Sequence, residues 1–131
     1  MSTSIRPKVI LALDDERPSL DLVKAVFRRP RWNLICLDQE ESFHQAVADV
    51  HPDLILLDHN MPQKSGMELC AELRTYDHTT PVVFLTADQD VQREQEAQAV
   101  GAQGVLHKPI APHQLRQYVE RHLSDSISAL A

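Results

Sequence analysis

The stretch VILALDDE, residues 9–16, decides how the chain is read. Five consecutive apolar residues, Val9–Leu13, run directly into three carboxylates, Asp14, Asp15 and Glu16. A short apolar run with no polar residue at alternate positions is the pattern of a strand covered on both faces. The pattern recurs at Leu34–Leu37, Leu54–Leu57, Val82–Leu85 and, at its shortest, Val105–Leu106.

Segments with helical spacing lie between these runs. The first starts near Pro18, a residue suited to a first helical turn, and puts Leu20, Val23, Val26 and Phe27 on one face. Ser42-x-x-Gln45 reads as a capping box for a second helix with Phe43, Ala46, Val47 and Val50 inward. Ser65-x-x-Glu68 reads the same way for a third, which carries Leu69, Cys70 and Leu73. The fourth, about Val91 to Val100, is dominated by Gln and Glu; Val91, Ala97 and Val100 mark its face and Gly101 its C-cap. The fifth starts near Pro112, with Leu115, Tyr118, Val119 and Leu123 together. Five strands alternating with five helices predict an α/β domain: a five-stranded parallel sheet, doubly wound, with right-handed crossovers. Residues 8–124 form that domain, 1–7 read as a flexible leader and 125–131 as a short tail.

Composition narrows the function. At 131 residues the chain fits one domain with its own core. A transmembrane helix needs about 20 apolar residues, far more than the run at Val9–Leu13, and no secretory signal is visible, so a cytoplasmic location is expected. Cys36 and Cys70 are too few for a disulfide framework or a four-thiolate zinc site and read as buried free thiols. The formal charge of −6 argues against direct nucleic-acid or anionic-membrane binding. The basic cluster Arg28, Arg29 and Arg31 reads as a solvated helix end. No two histidines have metal-ligand spacing; His44, His51, His78, His113 and His122 read as surface, and His59 as a loop-rim residue facing solvent.

Parallel α/β sheets bind ligands beyond the carboxyl ends of their strands. After the first run come Asp14, Asp15 and Glu16, after the third Asp58, after the fourth Thr86, and after the fifth Lys108-Pro109. In a 2-1-3-4-5 strand order the first and third strands are neighbours, so Asp14, Asp15 and Asp58 converge. A single aspartate after a strand is usually a turn or cap residue. Three together are costly, because two carboxylates about 5 Å apart repel by roughly 3 kcal/mol at an effective dielectric near 20. A cation or a shared proton relieves that repulsion. Carboxylate oxygens without His or Cys favour a hard ion such as Mg²⁺, which commonly shares a phosphate oxygen with its carboxylates. A lysine and a hydroxyl beside it, Lys108 and Thr86, can hold phosphoryl oxygens, with a carboxylate as nucleophile.

VILALDDE (9–16), LILLDHNMPQKSG (54–66), PVVFLTA (81–87) and HKPI (107–110) stand in the order and spacing of a response-regulator receiver domain, and the chain resembles that family over about residues 8–124. The resemblance implies a flavodoxin-like fold of strand order 2-1-3-4-5 and a signalling phosphoacceptor that catalyses only its own phosphorylation and dephosphorylation. Asp58 resembles the phosphoacceptor. Asp14 and Asp15 resemble the acidic pair that holds Mg²⁺ (Mn²⁺ could substitute), together with Asp58 and the backbone carbonyl of Asn60. Thr86 resembles the switch hydroxyl, Lys108 the lysine that pairs with the phosphoryl group, and Ala87 the small residue that leaves access to it. The bond before Pro109 is expected to be cis, and Met61-Pro62 and Gly66 match the loop after the phosphoacceptor. Implied partners are a histidine kinase or histidine phosphotransfer protein upstream and an effector protein or fused output domain downstream. A homodimer could form through the face of the fourth and fifth helices.

One position departs from the family pattern. Val105 stands where similar receivers often carry an aromatic residue that turns inward with the threonine. That departure motivates an alternative, a phosphorylation-independent interaction module. Retention of Asp14, Asp15, Asp58, Thr86 and Lys108 speaks against it. A Mg²⁺-dependent phosphatase is disfavoured, since no DxDx[TV] motif follows a strand. The polar types at Asn60 and Asp88, which flank the expected water path, suggest a comparatively short-lived phosphoryl group.

Overall fold

The computed structural model describes the backbone of residues 6–130 and the side chains of residues 6–123. Its elements run β1 (Lys8–Leu13), α1 (Arg17–Val26), β2 (Trp32–Leu37), a 3-10 turn (Glu40–Ser42), α2 (Phe43–Val50), β3 (Leu54–Asp58), α3 (Gly66–Leu73), β4 (Val82–Thr86), α4 (Gln92–Ala99), β5 (Gly104–His107) and α5 (Pro112–Leu130). The strands are parallel and form one sheet in the order β2-β1-β3-β4-β5. The leader read at residues 1–7 is described only from Arg6, and residues 1–5 lie outside the described residues. Helical backbone of α5 continues to Leu130, through most of the segment read as a tail, whose side chains also lie outside the described residues.

The continuous apolar runs are explained by the two layers they feed. Successive side chains of a strand point to opposite faces. Ile10, Ala12, Leu54, Leu56, Val83 and Leu85 pack with Leu20, Val23 and Phe27 of the α1 region and Leu115, Val119 and Leu123 of α5. Leu11, Leu13, Ile55, Leu57, Val82 and Phe84 pack with Phe43 and Val47 of α2, Leu69, Cys70 and Leu73 of α3 and Ala97 of α4. A polar residue at any alternate position would enter one of these layers.

Several local expectations are revised. Ser42 does not cap α2: it sits in helical conformation (φ −87°, ψ −6°) at the end of the 3-10 turn, and its side chain makes no cap hydrogen bond. A cap residue needs extended backbone to turn its oxygen onto the first free N–H groups. Ser65 has it (φ −72°, ψ 159°) and accepts from the Glu68 N–H at 3.1 Å. Val91, expected to mark the inner face of α4, is 71% exposed, and Ala97 is the buried residue of that helix. Gly101, with φ +88°, ends α4 as expected. Cys70 is buried but Cys36, on the edge strand β2, is only half-buried; burial raises both thiol pKa values.

β5 is the opposite edge of the sheet, and α5 covers it through Tyr118. A Cβ at Gly104 would lie 1.8 Å from the Tyr118 hydroxyl, so the ring occupies the space a side chain would take. The hydroxyl accepts from the backbone N–H of Val105, which protects an exposed strand edge. Gly104→Ala is expected to expel the ring and cost about 1–3 kcal/mol in chemical denaturation, the usual penalty of overpacking. Gly104→Ala combined with Tyr118→Ala should recover part of that loss, since the clash is then gone.

Candidate functional site

Strand register assembles the site. Leu13 pairs with Leu57, so the next residues, Asp14 and Asp58, stand side by side. Asp58 is in register with Leu85, and Thr86 with His107, which brings Thr86 and Lys108 to the same rim. Asp14, Asp58 and Thr86 are 2%, 4% and 1% exposed, an unusual burial for two carboxylates. Lys108 reaches across from β5: its Nζ lies 3.0 Å from Asp14 Oδ2, 3.0 Å from Glu16 Oε1 and 3.6 Å from Asp58 Oδ1. The Lys108–Pro109 bond is cis.

These neighbours set the ionisation of the pair. Burial pushes the Asp58 carboxyl up to about 7, and the charge of Asp14 adds to it; the Lys108 ammonium pulls the other way. Burial lowers the Lys108 ammonium, but its hydrogen bonds to Asp14 and Glu16 outweigh that, and the net shift is upward. Asp58 is therefore a carboxyl held above the usual carboxylate range by burial and by Asp14, beside a fixed cation.

Asp14, Glu16 and Asp58 each bring a carboxylate oxygen within 4.8 Å of the other two. Such an oxygen set suits a hard divalent cation. Glu16 belongs to the acidic run after β1, but sequence reasoning gave it no role. It ends the loop before α1 with extended backbone, and its longer side chain reaches back to Lys108. Asp15 is exposed and outside that trio, but its carboxyl hydrogen-bonds with that of Asp58. The backbone N–H of Asn60 donates to Asp58 Oδ1 over a long 3.4 Å.

The loops around the site are tied down. Gly66 donates its N–H to the carbonyl of His59 at 3.0 Å, and a Cβ there would stand 2.3 Å from the Asp58 carbonyl oxygen and 2.9 Å from Phe84. Only glycine lets this loop lie so close to the strand end. His59, read as facing solvent, is 8% exposed: its ring sits edge-on to Phe84 and Nδ1 lies 3.0 Å from Asn60 Oδ1. Beyond β4, Thr86 Oγ1 accepts the Asp88 N–H at 3.0 Å, and Ala87 is exposed at the mouth. Asp88 Oδ2 accepts from Arg93 Nε at 2.9 Å, which lowers the Asp88 pKa. His107 joins three elements: Nδ1 lies 3.0 Å from the Asp88 carbonyl and Nε2 3.1 Å from Glu94 Oε1. Its bond to Glu94 raises its pKa.

Elsewhere, Arg28, Arg29 and Arg31 are exposed as expected, with Arg31 paired to Glu120 at 2.6 Å. His44 joins a surface network with Tyr76 and Glu72, at 2.5 Å and 2.9 Å. Among the described residues, no helix is long and apolar enough to cross a membrane.

The profile of the family described as response regulator receiver domain matches residues 10–120. The chain is 31% identical over 110 residues to the phosphate regulon transcriptional regulatory protein PhoB of Pseudomonas aeruginosa, covering 82% of this chain and 48% of that protein. It is 31% identical over 114 residues to the regulatory protein AtoC of Escherichia coli, covering 87% of this chain and 25% of that one. The chain thus spans half or less of these two relatives. Among solved structures, the chemotaxis protein CheY4 of Vibrio cholerae superposes with a TM-score of 0.82 at 26% identity, over 88% of this chain and 98% of that one.

The raised Asp58 pKa gives a pH signature. Its ordinary value is 3.8 and the folded value about 7. Well below its ordinary value the carboxyl is neutral in both states and costs nothing. As pH rises toward the folded pKa the unfolded chain ionises while the folded protein retains the proton, and stability falls. The full cost, at most on the order of 4 kcal/mol, is present above the folded pKa. In chelator-containing buffer, Asp58→Asn should therefore melt higher than the parent near neutral and alkaline pH, and the gap should close in acid. Thermal melts across that range check this; a gap independent of pH would contradict it.

Proposed function

The chain belongs to the response-regulator receiver family of two-component signalling, and from that premise we propose that Asp58 accepts a phosphoryl group from a phosphohistidine donor. The observation that carries this reading is the position of Lys108 Nζ, 3.0 Å from Asp14 Oδ2 and 3.6 Å from Asp58 Oδ1. A cation fixed there meets any phosphoryl oxygen delivered to Asp58.

In the proposed transfer an Asp58 oxygen attacks phosphorus, the P–N bond to the donor imidazole breaks, and its electron pair stays on the imidazole nitrogen. Lys108 pairs with one phosphoryl oxygen and the Thr86 hydroxyl donates to another. Ala87 leaves the approach open. Asp14, Asp15, Asp58 and the Asn60 backbone carbonyl would hold Mg²⁺, or Mn²⁺ in its place, with Glu16 beside them. Bound there, the ion would neutralise charge gathering on the transferring group. The chain turns over no separate substrate in this reading.

Thr86 must rotate to donate, and its oxygen then leaves the Asp88 N–H. That frees the loop before α4 and shifts a pre-existing equilibrium at the face of α4, β5 and α5. A histidine kinase or phosphotransfer protein fits upstream, and an effector protein or a fused output domain downstream; this face could also join two copies. Val105 is half-buried and cannot act as an aromatic rotor, so the polar contacts of Asp88 and His107 take that part.

Intact-protein mass after incubation with Mg²⁺ and a small acyl phosphate tests the reading. One phosphoryl adduct is expected on the parent and none on Asp58→Asn or in excess chelator. Lys108→Ala should slow its formation by tenfold or more, on the order expected for a lost charged contact to the transferring group. No adduct on folded parent protein would favour the phosphorylation-independent module.

A further inference from the structure

His107 closes β5, one residue before Lys108, and both nitrogens of its ring are engaged. Nδ1 lies 3.0 Å from the carbonyl oxygen of Asp88, and Nε2 lies 3.1 Å from Glu94 Oε1 in the first turn of α4. A carbonyl and a carboxylate oxygen can only accept. A neutral imidazole carries one N–H and can satisfy one of them, so the two contacts together require a ring with two. His44 shows the contrast. Its partners are the Tyr76 hydroxyl and Glu72, and a hydroxyl can donate or accept, so a neutral ring meets both. The geometry at His107 is that of an imidazolium.

The surrounding charges favour that form. Glu94 of α4 and Asp88 are the anions that act on the ring. Asp88 Oδ2 also accepts from Arg93 Nε at 2.9 Å, and Arg93 is paired with Glu96 at 2.6 Å. His59 acts on the Asp88 carboxylate, and Glu94 acts on Tyr118 of α5. Lys108 gives its ammonium to Asp14 and Glu16. The bond to Glu94 first, and that to the Asp88 carbonyl second, hold the His107 pKa above its ordinary 6.5. The two bonds differ in setting. The one to the carbonyl is partly buried and the one to Glu94 is exposed. When the proton leaves to solvent, the remaining N–H stays with the carbonyl, which is the harder group to leave unpaired. Nε2 then faces a carboxylate with a lone pair, and Glu94 turns to water. Among its helical residues α4 buries only Ala97, so the Glu94 bond is a large share of what ties its first turn to β5.

We propose that His107 is a proton-operated clamp between β5 and α4: as imidazolium it holds the first turn of α4 in the arrangement seen here, and as neutral imidazole it releases Glu94. The clamp is complete below the ordinary value of 6.5 and is lost as pH rises through the higher folded value. Its consequence for signalling rests on the phosphoacceptor reading of Asp58. In this arrangement Thr86 Oγ1 still accepts the Asp88 N–H, so a protonated clamp resists the switch and a rise in pH eases it.

Asp58, with a pKa of about 7, titrates in the same range, so the clamp is read in the Asp58→Asn background with chelator present. The isotope-labelled full chain is titrated by NMR, following the His107 ring nitrogens and the backbone amides of residues 88–99. Both ring nitrogens should be protonated in acid, the midpoint should lie above 6.5, and the amides should shift with the same midpoint. Glu94→Gln keeps an acceptor oxygen but removes the charge; it should lower the midpoint and carry the amide transition with it. In His107→Gln that transition should vanish. An amide transition that survives in His107→Gln belongs to His59 or another group and overturns the clamp, as does a ring midpoint unmoved by Glu94→Gln. The signalling arm titrates beryllofluoride, a phosphoryl mimic, with Mg²⁺ into the parent and His107→Gln, both with Asp58 intact. Relative to His107→Gln, the parent should need about fivefold more beryllofluoride for half-conversion below the His107 midpoint than above it, the equivalent of one ordinary hydrogen bond. The titration of Asp58 is common to both proteins and cancels in this ratio. A ratio independent of pH would overturn the link to the switch. Folded parent that takes up no beryllofluoride at any pH overturns the phosphoacceptor reading instead, and the NMR titration still decides the clamp.

Discussion

Two carboxylates buried side by side at the end of an apolar sheet form the constraint on which the rest of the site depends. Asp14 and Asp58 are adjacent because β1 and β3 pair in parallel with Leu13 opposite Leu57. Nothing in that register can be altered without moving the whole core, since a one-residue slip would exchange the two apolar layers. The strain is relieved from a distance. Lys108 arrives from the other end of the chain and places one ammonium within 3.6 Å of both aspartates and Glu16. One cation against three carboxylates leaves the cluster short of positive charge, and this is why burial and Asp14 still push Asp58 up to about 7. A carboxylate set under-neutralised in this way suits a further hard cation.

Much of this was legible in the sequence because it depends on periodicity. Continuous runs such as Leu54–Leu57, short and spaced between helical segments, read as strands covered twice, and residues that follow parallel strands gather at one rim. Asp58, Thr86 and Lys108 were found that way. The two serine boxes differ in a way local sequence does not encode. Ser42-x-x-Gln45 and Ser65-x-x-Glu68 look alike in sequence, yet only Ser65 has the extended backbone that turns its hydroxyl toward the helix. The acidic pair Glu40-Glu41 ahead of Ser42 folds into a 3-10 turn, and Glu40 is engaged by the backbone N–H groups of Gln63 and Lys64, a tertiary contact that no local pattern encodes.

The residues that sequence reasoning passed over have the same origin. Glu16 was visible in the acidic run but acquires its place from Lys108, 92 positions away. His59 looked like a loop residue because its neighbours are polar. Its burial comes from Phe84 in β4 and from the close return of the chain at Gly66. His107 opens the HKPI stretch and reads from sequence only as a flank of the partner face; its contacts are not visible there, since they lie on the β4–α4 loop and on α4. In each case the side chain is defined by who comes to meet it.

That distinction bears on how a receiver with Val105 can signal. Thr86 and the outer face are joined here by polar contacts in sequence: Thr86 Oγ1 to the Asp88 N–H, the Asp88 carbonyl to His107, and His107 to Glu94 on α4. Breaking the first contact gives up one ordinary hydrogen bond, worth about 1 kcal/mol, whereas a Thr86 bond to a charged phosphoryl oxygen is worth about 1.5–3 kcal/mol. The difference corresponds to a shift in population of roughly tenfold, graded and reversible, where swinging an aromatic ring into a core would also carry a packing term. α4 suits such a small driving force. It buries only Ala97 among its helical residues and leaves Val91 in solvent just ahead of it. A helix held by so little apolar contact can answer to one or two hydrogen bonds, and a partner that covers Val91 would supply the energy the missing aromatic does not.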